Sequence, residues 1–395
     1  MAEKREVVIV SAVRTAIGTF GGTLKDFSSS QLGTVAVKEA IARAKIDVAQ
    51  IGHLVCGNVI HGEARDMYVS RAIALDAGMV KESCALTLNR LCGSGLQAII
   101  TAANAIQLGD TDAAIGCGVE TMSRSGYLAP AMRFGARMGE TKMIDMMIGA
   151  LTDPFSPNHM GITAENVAAQ FGISRDDQDK FALESQRRAA AAIDAGYFKS
   201  QIVPVEIQTR KGTTLFDTDE HPKRDTTMES LAKLRAAFKK DGTVTAGNAS
   251  GINDGAAAVV LMEATAAAKA GAKPLARLVS YAVAGVEPSI MGTGPIPAVR
   301  LALKRAGLQV ADMDVIESNE AFAAQACSVN KELGLDTAKV NPNGGAVALG
   351  HPLGATGAIL TVKCLYELAR TNKRYGLVTM CIGGGQGIAA IFERI

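Results

Sequence analysis

The chain has 395 residues, is 48% hydrophobic, and sets 41 basic against 39 acidic side chains for a net charge of +2. That length and apolar content suit two or three domains with sizeable cores, while balanced charge, 4% aromatics and no Trp argue against a nucleic-acid-binding surface. Seven cysteines, an odd number without a Cys-x-x-Cys pair, read as free thiols of a reducing cytoplasm rather than as a disulfide framework or a zinc ribbon.

At the N-terminus, Lys4 and Arg5 precede Val7-Val8-Ile9-Val10, a faint imitation of a signal peptide. The apolar run is too short and Arg14 follows closely, so a buried first strand is expected. No uninterrupted apolar stretch reads as long enough to span a bilayer. Leu86-Thr87-Leu88 predicts a strand, and Leu96, Ile99, Ile100, Ala103 and Ile106 mark one face of a helix that Gly109 can end. Residues 122–251 differ in character. They are rich in Met and in loop signals such as Asp153-Pro154, with one clear helix near 175–195 capped by Ser174. From Lys199 to Lys240 there are nine basic and six acidic residues, which by themselves describe a solvated surface. Near the C-terminus, Leu377-Val378-Thr379-Met380 and Ile388–Phe392 predict strands on either side of a glycine-rich reversal.

The chain repeats itself. A shift of 262 residues pairs Ala36 with Ala298, Val37 with Val299, Ala40 with Ala302, Arg43 with Arg305, Ala44 with Ala306, Val48 with Val310 and Ala49 with Ala311. Each copy reads as an amphipathic helix, a turn and an apolar strand, Leu54-Val55-Cys56 in one and Val315-Ile316 in the other. The same shift places Leu91 on Leu353 and Gly95 on Gly357. Two duplicated α/β halves are therefore expected, with a site between equivalent loops.

Those loops carry reactive groups. Cys92, in Leu91-Cys92-Gly93-Ser94-Gly95, falls at a strand-to-helix turn, where the helix dipole favours the thiolate and lowers the pKa; a buried, inert cysteine is the alternative. His351, in Gly350-His351-Pro352, is held extended by the proline and is one of only five histidines available as a base; a loop His bonded to backbone is the alternative. Cys381 precedes Gly383-Gly384-Gly385, whose N–H groups can face an oxyanion. A phosphate-binding loop is the weaker reading, since no Lys-Ser/Thr follows and the segment enters a strand. Asn319 can hold a water or carbonyl, or cap the next helix. His159 carries the same ambiguity.

Together these motifs resemble the thiolase family over nearly the whole length. They run from Arg14-Thr15-Ala16-Ile17-Gly18-Thr19-Phe20-Gly21 through the Cys92 loop, His159-Met160-Gly161 and Gly247-Asn248-Ala249-Ser250-Gly251. Asn319-Glu320-Ala321-Phe322, Gly350-His351-Pro352 and Cys381-Ile382-Gly383-Gly384-Gly385 complete the set. The resemblance implies a layered αβαβα core with an inserted loop domain. Its divisions would be residues 1–121 with 252–273, a loop domain 122–251 over the coenzyme A site, and 274–395. It implies a short-chain acetyl-CoA acetyltransferase or 3-ketoacyl-CoA thiolase working by ping-pong acyl transfer, in which coenzyme A thioesters are substrates and no cofactor or metal is needed. Cys92 would be the nucleophile, His351 its activator, and Cys381 the acid/base for the α-proton. Asn319 would hold a water that forms one oxyanion hole with His351, and the amides of Cys92 and Gly383 would form the other.

Positions matching the family's coenzyme A contacts are Leu151, Lys223, Ser230, Ala246, Ser250, Ala321 and Phe322. His159, Met160 and Met291 would belong to the short-chain acyl pocket. The run His61–Tyr68 is similar to that of bacterial 3-ketothiolases of wider acyl range. A cytoplasmic homotetramer is implied, with no nucleic-acid or membrane partner. A ketoacyl synthase of the same fold would lack the second cysteine, and a non-catalytic relative need not keep both thiols, His351 and Asn319.

Overall fold

The computed structural model describes residues 5–395; Lys4, read above as part of a basic flank, lies outside the described residues. The main elements in chain order are β1 (Val7–Thr15), α1 (Ser29–Ala44), β2 (Ile51–Gly57), β3 (Cys84–Leu88), α2 (Ser94–Leu108), β4 (Ala113–Thr121), α3 (Met160–Phe171) and α4 (Arg175–Asp194). They continue with β5 (Asn253–Glu263), β6 (Ala276–Gly285), α5 (Pro295–Ala306), β7 (Val315–Ser318), α6 (Ala323–Leu333), α7 (Leu353–Thr371), β8 (Tyr375–Ile382) and β9 (Gln386–Arg394). β1 is rich in β-branched residues and buried at every position, as a strand covered on both faces must be.

The strands follow the order β7-β8-β9-β6-β1-β5-β4-β2-β3. β1 pairs with β5 at seven positions but with β6 only through Val8↔Arg277 and Ile9↔Ala276, so two half-sheets meet at a short seam. Their internal plans match. β2 runs parallel to β4 as β7 does to β8, and β4 is antiparallel to β5 as β8 is to β9. The 262-residue shift carries the first residue of β4 onto the first of β8, and the single turn Val48–Gln50 onto Val310–Asp312.

Period-2 alternation along the strands separates three cores. Val8, Val10 and Ile115 face α1 through Leu32, Val37 and Ala40. Ala389, Ile391 and Leu377 face α5 through Ala298, Val299 and Leu303. Ile9, Val259, Ile388, Ala390 and Phe392 share the central core with Ile99 and Ile100 of α2 and with Ile359 and Val362 of α7. The result is α1, sheet, α2 with α7, sheet, α5: the αβαβα layering. The segment Leu91–Leu108 is long and apolar enough by composition to cross a membrane, contrary to the sequence reading, yet more than half of it is buried between the two sheets.

The repeat-related glycines lie where α2 and α7 cross. A Cβ on Gly95 would stand 2.7 Å from the Ala358 nitrogen and 2.9 Å from the Gly354 oxygen, and one on Gly357 would collide with the backbone of Leu96. Glycine here permits backbone contact between helices rather than an unusual φ. Residues 122–251 add α3, α4, two small hairpins and the two-residue strand Ile202–Val203, which pairs with β1. The helix read near 175–195 has its capping box, with the Ser174 hydroxyl accepting from the Asp177 amide at 3.1 Å and the Asp177 carboxylate accepting from the Ser174 amide at 2.9 Å.

Gly357→Ala should force α2 and α7 apart and destabilise the protein by about 1–3 kcal/mol, the usual cost of overpacking. Urea unfolding at matched protein concentration measures it, and an unchanged midpoint would contradict the crossing.

Candidate active site

Cys92 occupies a locked turn between β3 and α2. Leu91 adopts left-handed backbone, φ +47°, a conformation that side chains other than those of Gly, Asn and Asp rarely take. Hydrogen bonds hold it there. The Leu91 amide donates to Asn89 Oδ1 (2.8 Å), the Arg90 amide donates to Ser94 Oγ (2.8 Å), and that hydroxyl donates to the Leu91 carbonyl (2.7 Å). The first turn of α2 has no side-chain cap. The Gly383 amide and the Cys92 amide bond toward the sulfur and favour its thiolate, but burial outweighs them and pushes the thiol up to about 11. The expected lowering by the helix dipole is thus corrected: desolvation costs a thiolate more here than the terminal dipole returns.

His351 lies on the turn into α7, after Gly350 at φ +106°. Its backbone amide donates to Asn253 Oδ1 at 2.9 Å. The Thr356 hydroxyl lies 3.0 Å from the Pro352 carbonyl and donates to it, which leaves its oxygen to accept from His351 Nδ1 at 2.6 Å. That assigns the proton to Nδ1 and leaves a lone pair on Nε2, toward which Asn319 Nδ2 donates at 3.4 Å. Burial lowers the imidazole to about 4, so it is neutral at pH 7. A neutral thiol and a neutral base therefore border the same chamber, the acceptor nitrogen of the base held only by the long contact from Asn319.

Cys381 is on β8, one residue before the strand ends, and is completely buried. Burial and the facing Cys92 sulfur raise its pKa further than that of Cys92. Gly383–Gly385 close the β8–β9 hairpin, with Gly384 and Gly385 at φ +81° and +84°. A hairpin between antiparallel strands is not a phosphate loop at a helix N-terminus, which removes that alternative. Asn319 follows β7 and is fully buried, with no protein partner for Oδ1. It does not cap the next helix, because α6 begins at Ala323 with Phe322 in the cap position. His159 does cap: Nδ1 accepts from the Gly161 amide at 3.0 Å, and the ring stacks on Phe238.

Cys92, His351, Cys381, Gly383 and His159 border two adjoining cavities that share lining residues; Asn319 lines neither. An outer cavity of about 530 Å³ is lined by Leu151, His159, Lys223, Ala246, Ser250, Phe322 and His351, among others. Leu151, Ser250, Phe322, His351 and Leu353 also border an inner chamber of about 50 Å³, with Cys92, Cys381, Gly383, Met160, Met291 and Ala321. Ser230 is the exception among the expected contacts. It borders neither space, and its hydroxyl bonds within the Thr227 capping box. Of the nine basic residues between 199 and 240, Lys223 alone lines the cavity, while Arg224 pairs with Asp194 at 2.9 Å. The solvated-surface reading therefore describes the rest. Thr356, Asn253 and Leu91 are site residues that sequence reasoning missed. Only the five-residue spacing from His351 to a hydroxyl could have flagged Thr356.

Thr356→Val should leave the fold intact, free the imidazole to change tautomer, and lower kcat by about 10–100-fold with little change in KM; unchanged kcat would contradict the assignment. A second expectation concerns acid stability. Burial lowers His351 to about 4 in the native protein against 6.5 for the solvated imidazole of the unfolded chain, so the unfolded chain takes up the proton first as pH falls. The contribution of this residue is complete above pH 6.5 and declines toward pH 4. Relative to His351→Asn, the wild type should lose about 3 kcal/mol across that window, read from urea midpoints at each pH. Parallel profiles would refute it.

Comparison with known proteins accounts for the whole chain. Residues 7–265 match the model of the thiolase N-terminal domain and residues 272–394 that of the thiolase C-terminal domain. The chain is 65% identical over 392 residues to the beta-ketothiolase BktB of Cupriavidus necator, covering 99% of this chain and 100% of that one. It is 51% identical over 393 residues to an acetyl-CoA acetyltransferase of Escherichia coli, with 99% and 100% covered. Human mitochondrial 3-ketoacyl-CoA thiolase superposes with a TM-score of 0.97 at 45% identity, covering 99% of each chain. Two half-sheets related by an internal repeat, with a cysteine and a histidine at equivalent helix starts, have their explanation in descent: this chain belongs to the thiolase family.

Proposed function

We propose that the protein is an acetyl-CoA C-acetyltransferase and short-chain 3-ketoacyl-CoA thiolase. In this reading it reversibly condenses acetyl-CoA with a second short acyl-CoA through an acyl-Cys92 intermediate. The observation that carries the reading is the convergence of Cys92, Cys381, His351 and Gly383 on a 50 Å³ chamber at the foot of a cavity bordered by Lys223. Relatives named beta-ketothiolase and acetyl-CoA acetyltransferase, and a related thiolase solved in complex with CoA, support it.

Each proton has a place. Cys92 attacks the thioester carbonyl while His351 Nε2 takes the thiol proton, and the departing CoA thiolate takes a proton from Cys381. The oxyanion is met by the amides of Cys92 and Gly383. Cys92 is then a thioester that cannot ionise, so it adds no negative charge beside the Cys381 thiolate. The Cys381 thiolate removes the α-proton of the second acetyl-CoA, and the enolate, held by His351 and an Asn319-bound water, attacks the acyl carbon. Cys92 leaves as thiolate and recovers its proton from His351. Met160 and Met291 form the acyl wall, and the flexibility of methionine suits more than one short chain.

The same proposal covers organisation. Residues 122–251 act as the loop domain over the coenzyme A site. Exposed Phe134, Met138, Met143 and Ile148, with the exposed edge strand β3 and its Leu86, favour a homotetramer over a free monomer. Seven unbridged cysteines, Cys84 among them exposed, suit a reducing cytoplasm.

Acetyl-CoA alone should add one acetyl group, located on Cys92 by peptide mass spectrometry, and Cys381→Ser should retain that label while condensing about 100-fold more slowly or worse. Label elsewhere, or normal condensation by the variant, would overturn the assignment.

A further inference from the structure

We propose that Glu120 and Asn253 are positioning residues that clamp the His351 turn from the opposite half of the molecule, Glu120 by capping α7 in trans. The proposal rests on the acyl-transfer reading of the site above, and it concerns two side chains that touch neither thiol.

The Thr356 hydroxyl ties the imidazole to the Pro352 carbonyl within the His351 turn, but the backbone amides of His351 and Gly354 find their partners outside it. Gly350 is in left-handed backbone, and α7 starts behind Pro352, which supplies no side-chain cap. The first-turn amides of a helix need partners from elsewhere. The Ala355 and Thr356 amides turn back to the Pro352 carbonyl at 2.8 and 3.0 Å, while the Gly354 amide and the His351 amide ahead of the helix are met by the N-terminal half, across long separations in the chain. Asn253, the first residue of β5, accepts from the His351 amide at 2.9 Å and donates to the Gly18 carbonyl at 2.9 Å. Glu120, at the end of β4, accepts from the Gly354 amide at 2.8 Å. Both side chains are completely buried.

Glu120 also accepts from the Val59 amide (3.1 Å), the Ile60 amide (3.0 Å) and Asn58 Nδ2 (3.2 Å). Four N–H donors thus converge on one carboxylate, with no ion-pair partner among the described residues. Only the ionised form accepts from all four, because a carboxylic acid would turn an O–H toward an N–H. Through this one side chain the 58–60 loop is tied to the start of α7. Val59, Ile60 and Leu353 belong to one apolar cluster with Cys92 and Leu151, and Leu353 and Leu151 border the chamber beside Cys92 and His351, so the clamp backs the chamber wall from behind. Space allows no substitute on the other side: a Cβ on Gly354 would stand 2.7 Å from Glu120 Oε2. Burial raises the Glu120 carboxyl to about 7 against the pull of the backbone amides bonded to it, and a buried carboxylate without a cation is costly; its placement beside the site argues for orientation rather than stability.

The test is Glu120→Gln, which keeps the shape but points an amide N–H at one of the donors. Thiolysis kinetics are normalised to the fraction of Cys92 that acetylates, so that partial misfolding is removed from kcat. The expected result is kcat per active site lower by about tenfold or more, with KM within about threefold of wild type. A kcat within about twofold of wild type, or KM rising in step with the loss of kcat, overturns the clamp. Hydrogen exchange on the wild-type protein covers the case of a variant that does not fold: the amides of His351 and Gly354 should exchange as slowly as those of β4, and early exchange there overturns it. Wild type that leaves Cys92 unacetylated defeats the acyl-transfer reading itself, whereas wild type that acetylates while Glu120→Gln matches it defeats the clamp alone.

Discussion

The contact on which the rest depends is the crossing of α2 and α7 at Gly95 and Gly357. Both helices lie in the middle layer and both begin at a loop that carries chemistry. Without a Cβ at either position their backbones come into contact, and their starts are drawn to one place. Cys92 precedes one helix and His351 the other. The hairpin after β8 adds Cys381 and Gly383, and its Ile382 packs so close to Gly93 that a Cβ there would lie 2.6 Å from Ile382 Cδ1. A duplicated half-fold thereby becomes an asymmetric site: equivalent loops, different side chains.

Burial then decides the electrostatics. The thiols are held protonated and the imidazole neutral by the same cause, loss of water. The thiols and imidazole carry no charge at rest, so in the proposed reaction charge first appears when substrate brings an oxyanion to the waiting amides. Glu120 is the nearby titratable neighbour: burial raises it to about 7, and its ionised form raises the pKa of Cys92 further. Neutrality at rest and donors fixed in advance are complementary: the first prevents stray thiolate chemistry, the second lowers the cost of charge in the reaction.

Much of this was legible in the chain. Strands such as Val7–Val10 and the capped helix after Ser174 declare themselves through periodicity and local cap chemistry. The repeat exposed the two-half plan, and the motifs around Cys92, His351 and Cys381 marked the candidate reacting groups because glycine and proline lie within a few residues of them. Three expectations changed with the structure, one through tertiary packing and two through where a helix begins or caps. Cys92 is not acidified by its helix, since desolvation is a property of what packs around it. Asn319 is not a cap, since the chain turns three residues later than local propensity suggests. Ser230 spends its hydroxyl on its own helix.

What the sequence determined by itself is what short-range chemistry encodes: secondary structure, the duplication, and the identity of the residues able to act as nucleophile, base and acid. What only the tertiary structure decided is everything set by groups far apart in the chain. Asn253 meets His351 across 98 residues and Glu120 meets Gly354 across 234, and the outer cavity gathers residues from Thr19 to Leu353. Proton affinity, tautomer and orientation depend on distance and solvent exclusion in three dimensions, and neither quantity is written in the spacing of residues along a chain.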